Sequence, residues 1–199
     1  MKIDCLLAGV GGQGTVLASR IIAQTAIDLG YEAHTSEVIG MAQRGGSVTS
    51  QVRLGGNIVG PMIPMGHADL LIGFEPAEAA RNFAYLKNGG TVIVNTNPLE
   101  PVTSLINHDY NLNEILAWLQ KQAGRCICID GKVFCIKAGS GKVLNALMLG
   151  ILAREEILPF TREQILATIL VYVPKKYRML NEKAFNIGYA YKDIDREML

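Results

Sequence analysis

A chain of 199 residues with 49% apolar side chains and a formal net charge of +1 can bury one core, and it carries no electrostatic footprint for nucleic acid or an anionic membrane. No run of about 18 apolar residues is available to span a bilayer, and no signal peptide is expected, since the charges at Lys2 and Asp4 precede only a short strand that ends in glycine. The cysteines at 5, 126, 128 and 135 form no C-x-x-C pair and no disulfide scaffold, so the expectation is a cytoplasmic protein with buried thiols and no iron–sulfur or other metal ligands of its own.

Strand and helix patterns alternate from the start. An apolar strand at 2–8 runs into Gly9-Val10-Gly11-Gly12-Gln13-Gly14, and an amphipathic helix at 15–29 follows at once, stopped by Gly30. A strand at 31–38 completes a βαβ unit. Residues 47–54 read as the next strand, Gly55-Gly56 as a tight turn and 57–60 as its hairpin partner, so one pair in the sheet is expected to be antiparallel. The solid apolar run 68–74 is predicted as a strand buried on both faces, followed by a helix at 76–86 that opens on Pro76 and is closed by Gly89-Gly90.

A strand at 91–95, a loop marked by Pro98 and Pro101, a helix at 112–122 with Trp118 on its apolar face and a strand at 125–129 come next. Asp130-Gly131 has the local chemistry of a hairpin turn. Helices are then predicted at 142–154, at 161–170 and from near residue 175 to the C-terminus. This alternation defines the α/β class: one three-layer α/β/α, Rossmann-like domain over 1–199, with a mostly parallel sheet and one antiparallel hairpin.

Two glycine-rich blocks are the features that could carry chemistry. In the first, Gly9, Gly11, Gly12 and Gly14 let the backbone turn sharply after a strand, and the unpaired N–H groups of the new helix suit a phosphate or other anion. The same spacing satisfies the dinucleotide fingerprint, with Glu37 as the ribose-binding acid, and it equally suits a tight turn that only packs a helix on a sheet. Gln13 places an amide in the turn, free to meet a ligand or a subunit, or to bond within the loop.

In the second block, Gly40-Met41-Ala42-Gln43-Arg44-Gly45-Gly46-Ser47-Val48, the Arg44 fork fits a carboxylate or phosphate, or else pairs with a surface acid. Glu75 follows a buried strand at the sheet edge where α/β folds bind ligands, and it is also placed to stabilise a helix N-terminus. His34, His67 and His108 have no metal or triad spacing. Gly139-Ser140-Gly141-Lys142 lacks both ends of a P-loop, with Ile136 and Val143 where glycine and Ser or Thr are needed.

With these motifs go Glu37 through Arg53, Ile63-Pro64-Met65-Gly66-His67-Ala68-Asp69, Glu75-Pro76-Ala77-Glu78-Ala79-Ala80-Arg81, the segment 90–95, Asn145-Ala146-Leu147-Met148-Leu149-Gly150 and Asn181-Glu182-Lys183-Ala184-Phe185. In this order they resemble the gamma-type subunits of 2-oxoacid:ferredoxin oxidoreductases, among them the small subunit of the indolepyruvate enzymes. The resemblance implies a short helix after Asp130 in place of the hairpin. It implies a subunit inactive alone, whose partner is a large subunit that carries thiamine diphosphate and iron–sulfur clusters, with coenzyme A and ferredoxin serving the complex.

On that reading Gly9, Gly11, Gly12, Gln13, Gly14, Gln43, Arg44, Gly45, Gly46, Ser47 and Glu75 face an anion, coenzyme A or the active-site channel and the partner, and no catalytic residue is identified. The high apolar share in a short chain suggests that part of its surface is an interface, with Arg44 as its polar centre. The competing readings are an independent NAD- or FAD-binding oxidoreductase and a regulatory module for a phosphorylated metabolite.

Overall fold

The computed structural model describes residues 2–40, 45–56, 58–99 and 110–192. Its elements in chain order are β1 (Ile3–Val10), α1 (Thr15–Asp28), β2 (Ala33–Ile39), β3 (Ser47–Leu54), β4 (Ala68–Gly73), α2 (Pro76–Arg81), β5 (Leu86–Asn95), α3 (Leu112–Gln122), β6 (Arg125–Ile129), α4 (Gly131–Ala138), α5 (Leu144–Arg154), α6 (Arg162–Tyr172) and α7 (Arg178–Tyr189). Short 3-10 turns at Phe83–Tyr85, Gly141–Val143 and Lys175–Tyr177 lead out of or into the neighbouring elements.

Six strands form one sheet in the order β2-β3-β1-β4-β5-β6. β1, β4, β5 and β6 are parallel, as their buried, nearly continuous apolar sequences require. β3 runs antiparallel to both β1 and β2, from Ile3 opposite Leu54 to Val10 opposite Ser47 on one side. β1 and β2 therefore never touch, and the expected βαβ unit has a reversed strand wedged into it.

Three expectations are corrected here. The antiparallel hairpin joins β2 to β3, rather than β3 to residues 57–60, because β1 and β2 occupy both ladders of β3 and leave no third edge. Residues 58–60 lie outside the sheet, held by the Arg53 guanidinium, which donates to the carbonyls of Gly60 and Met62, each at 2.9 Å; Asn57 is outside the described residues. Gly89-Gly90 ends no helix: both glycines lie inside β5, where the register with β4 shifts between Ala68 and Leu70, and α2 has already closed at Arg81. Trp118 is not on a buried face; it is 43% exposed and meets Phe83 edge-on at 4.8 Å, while Leu119 takes the core position of α3.

The sheet separates two apolar layers. On one side Leu7, Val52, Leu70, Ile72, Ile93 and Ile127 meet α1, α4, α5, α6 and α7; on the other Leu6, Ala8, Leu71, Val92 and Val94 meet α2 and α3. α5 is buried from Asn145 through Ala153, which only a helix apolar on all sides tolerates. It crosses α7 closely enough that a methyl group at Gly150 would stand 2.1 Å from the Phe185 carbonyl oxygen, and one at Gly188 would stand 2.1 Å from that of Leu147.

Directly opposite each other on β1 and β3, Asp4 and Arg53 form a buried bidentate pair with contacts of 2.9 and 3.2 Å. The two Nη1 donors of the guanidinium go to the carbonyls at 60 and 62, so neither charge is left without a partner. No single helix among the described residues is long and apolar enough to cross a membrane.

Candidate functional site

The carboxyl ends of β1, β4, β5 and β6 meet at one edge of the sheet, where the loops of open α/β folds bind ligands. After Val10 the chain turns through Gly11 to Gly14 and enters α1. Gly12 and Gly14 adopt the left-handed region at φ 94° and 83°, so the sharp turn requires them. A side chain at Gly9 would collide with Gln13, Phe74 and Thr15, all within 2.9 Å. α1 has no side-chain N-cap, which leaves its first N–H groups directed out of the turn.

Gln13 is engaged within this edge. Its Oε1 accepts from the Val10 N–H at 2.9 Å, and its Nε2 donates to the Phe74 carbonyl at 3.0 Å. Asn95 Nδ2 donates to the same carbonyl at 2.9 Å, and Asn95 Oδ1 accepts from the Gly131 N–H at 3.0 Å. Asn97 continues the lattice, donating to the N-capping carboxylate of Asp130 at 3.0 Å and accepting from the Lys132 N–H at 2.6 Å. One glutamine amide and two asparagine amides thus lock the ends of β1, β4, β5 and β6 together.

The second glycine block joins the first. The Gly11 N–H donates to the Gly46 carbonyl at 2.9 Å, and Gly45 is left-handed at φ 66°. Ser47 Oγ donates to Glu78 Oε2 at 2.6 Å, and the other oxygen of Glu78 pairs with Arg81, so the block is anchored to α2. Gln43 and Arg44 lie outside the described residues.

Glu75 is buried and caps α2: its Oε2 accepts from the Glu78 N–H at 2.9 Å, and its Oε1 accepts from the Tyr110 hydroxyl at 2.6 Å. Both carboxylate oxygens are spent on holding the edge together, which fits the helix-stabilising role weighed for this residue.

Between these loops and α4 lies a cleft of about 460 Å³ lined by Gly12, Gln13, Asn95, Asn97, Lys132 and Lys142 among others. Among the described residues, two cations and no carboxylate line it, which suits an anionic group. Cys135 also reaches its wall, but burial pushes that thiol up to about 11, so it is protonated and unreactive at neutral pH. Of the residues singled out from sequence, Gly12 and Gln13 line the cleft; Gly9, Gly11 and Gly14 shape the turn behind it, and Gly45, Gly46, Ser47 and Glu75 lie alongside. A larger groove of about 590 Å³ between α1 and α6 lies away from this edge.

Asn95, Asn97 and Lys132 were missed in the sequence, and Lys142 was weighed there only as the tail of an incomplete P-loop. The signal was present as Asn-Thr-Asn directly after a buried strand, a polar cluster at a strand's carboxyl end. Two alternative motifs lose their geometry. Glu37 sits opposite Ser50, which is opposite Leu7, so it stands a full strand away from the glycine turn, and it pairs with Arg20 at 3.5 Å. Gly139 ends α4, and Ser140 caps the following 3-10 turn through the Lys142 N–H at 3.2 Å, a helix-to-helix connection rather than a strand-to-helix phosphate loop.

Fold and edge together define a Rossmann-like α/β subunit with a loop-built, cation-lined cleft. Residues 4–191 match the family described as pyruvate ferredoxin/flavodoxin oxidoreductase, and the chain belongs to that family as a gamma-type subunit. It is 37% identical over 190 residues to the indolepyruvate oxidoreductase subunit IorB of Pyrococcus horikoshii, covering 94% of each chain. Its fold is that of the gamma subunit of a keto/oxoacid ferredoxin oxidoreductase from Geobacter sulfurreducens, with a TM-score of 0.71, 23% identity and 95% of each chain covered. It is also that of a 2-oxoglutarate:ferredoxin oxidoreductase from Magnetococcus marinus solved with 2-oxoglutarate, coenzyme A and succinyl-CoA, at TM-score 0.71 and 19% identity over 96% of this chain and 32% of that one.

Proposed function

We propose that residues 1–199 act as one unit, the small subunit of an indolepyruvate-type 2-oxoacid:ferredoxin oxidoreductase. The observation that carries this reading is the 37% identity, spread over nearly the whole of both chains, to an indolepyruvate oxidoreductase subunit. In the complete enzyme an aryl or branched 2-oxo acid loses CO2, its acyl group passes to coenzyme A, and two electrons leave through iron–sulfur clusters to two ferredoxins with release of one proton. Thiamine diphosphate supplies the carbanion stabilisation for that decarboxylation, and it and the clusters belong to the large partner subunit.

This chain's own residues bind and orient. The Gly9 to Gly14 turn and Lys132 and Lys142 receive an anionic group of coenzyme A at the cleft, which the two lysines in its lining support. The Gln43-Arg44-Gly45-Gly46-Ser47 block faces the partner. Gln13 and Asn95 keep the strand ends rigid so that a bound group is held in one place.

The test is turnover with indolepyruvate, coenzyme A and ferredoxin. The purified chain alone is inactive, the chain with its thiamine-binding partner is active, and Arg44→Ala lowers affinity for the partner or turnover of the complex. Ferredoxin reduction by the chain alone, or a complex preferring pyruvate or 2-oxoglutarate over indolepyruvate tenfold, would overturn the reading.

A further inference from the structure

Charge is unevenly spread over this chain. Residues 131–145 and 171–181 carry Lys132, Lys137, Lys142, Lys175, Lys176 and Arg178 and not one aspartate or glutamate, in a chain whose net charge is only +1. The fold brings the two segments together, because α4 packs along α7. Phe134 meets the Tyr191 ring at 5.4 Å, and a methyl group on Gly139 would stand 3.3 Å from Leu180 Cδ1. All five lysines are exposed, and none of the six cations enters an ion pair among the described residues; Lys137 and Lys176 lie over the rings of Phe134 and Tyr177. Asp130 and Glu182 bound the two segments, and Asp130 is spent on capping α4.

A cationic face repels itself, so its counter-charge comes from salt ions or from another molecule. Apolar side chains decide between the two. Ile136 is 65% exposed and Met179 84%, with Val133 and Tyr177 also exposed among the cations. Salt ions leave such side chains in water, whereas a protein surface covers them, and an apolar centre with a polar rim is the anatomy of a protein interface. The face is also continuous with the second glycine block: Ile136, Lys132 and Lys142 form one wall of the cleft, Gly12 and Gln13 another, and Gly11 bonds Gly46 behind them.

We propose that the α4/α7 face is a docking surface for the large subunit, which meets it with an apolar centre ringed by carboxylates, so that the cation-lined cleft opens at the boundary between the two chains. This rests on the reading of the chain as the small subunit of such an enzyme. Lys137, Lys175 and Lys176 face the partner's acids, and Tyr177 and Met179 supply the apolar centre. Rim charges of this kind speed and orient association, and salt screens them.

The experiment measures the Kd of the full-length chain for the purified large subunit at about 20 mM and about 500 mM salt. Reversing charge at Lys137→Glu and Lys176→Glu together, away from the cleft lining, should weaken binding by about tenfold or more at low salt and by much less at high salt. Met179→Ser should weaken it at both, and Lys121→Glu on α3, in the opposite layer, at neither. In the unmodified complex, carbodiimide should join Lys137, Lys175 or Lys176 to the large subunit's carboxylates, as located by peptide mass, a readout independent of how the variants fold. Low-salt affinity unmoved by the double reversal, or no such cross-link, would overturn the proposal. So would a reversal that spares assembly and raises only the KM for ferredoxin, which would give the face to the acceptor. A parent complex that assembles and turns over normally in those cases leaves the small-subunit reading standing; a parent chain that neither binds nor activates the large subunit would refute both.

Discussion

The crossing of α5 and α7 makes a sharp prediction, because two opposing effects of known size meet there. Changing Gly188 to alanine in an α-helix interior would by itself stabilise the chain by about 1 kcal/mol through helix propensity. The new methyl group, however, would stand 2.1 Å from the Leu147 carbonyl oxygen and 3.0 Å from its carbon. A carbon and a carbonyl oxygen settle at about 3.3 Å, so the helices must part by roughly 1.2 Å.

That displacement loosens Leu147 and Phe185, both fully buried between the helices and the sheet. Overpacking of this kind typically costs about 1–3 kcal/mol, and the lost dispersion adds to it. The expected net effect is a loss of about 2 kcal/mol, which corresponds to a Tm lower by roughly 4–8 °C for a chain of this size. Differential scanning calorimetry of the isolated chain measures it. Gly150→Ala meets the Phe185 carbonyl at the same 2.1 Å, and one helix separation relieves both clashes, so the double variant should lose less than the sum of the singles. A Gly188→Ala protein as stable as the parent, or more so, would refute the argument, since propensity would then have won.

Two further outcomes follow from buried groups. Glu75→Ala removes the cap of α2 and the carboxylate's bond to the Tyr110 hydroxyl, so the urea midpoint should fall by the equivalent of about 2 kcal/mol. Glu75→Gln, which keeps a side-chain acceptor, should recover at least half of that; equal stability of all three proteins would exclude the capping role. Burial pushes the Cys135 thiol from 9.0 up to about 11, and Cys5 is raised further by burial with Asp69 and Asp4 close by. Because the folded state holds these protons more tightly, the stability that Cys135 contributes is intact below pH 9 and is lost as pH rises through about 11. The Tm advantage of the parent over Cys135→Ala should therefore shrink across that interval, and a constant difference would contradict the assignment.

Local pattern determined much of this protein in advance. The boundaries of β3, α3 and β6 coincide with the apolar periods at 47–54, 112–122 and 125–129, because alternation and capping are properties of neighbouring residues. The glycine turn after β1 was legible for the same reason, since a strand running into a helix through four glycines has few conformations open to it. The short helix after Asp130 came from resemblance, and Asp130 secures it by accepting the Val133 N–H at 3.0 Å.

Tertiary structure alone decided which partners those elements take. A strand's sequence says which face is buried but not which strand completes its ladder, so the insertion of β3 between β1 and β2 was invisible until both edges were seen to be filled. For the same reason the amide of Gln13 looked available for a ligand, whereas its acceptor at Phe74 is 61 residues away. Gly150 and Gly188 show no local need for glycine; each is required by the carbonyl of another helix. Hydrogen bonds and close contacts between distant segments depend on where the whole chain places them, and a one-dimensional period carries no record of that.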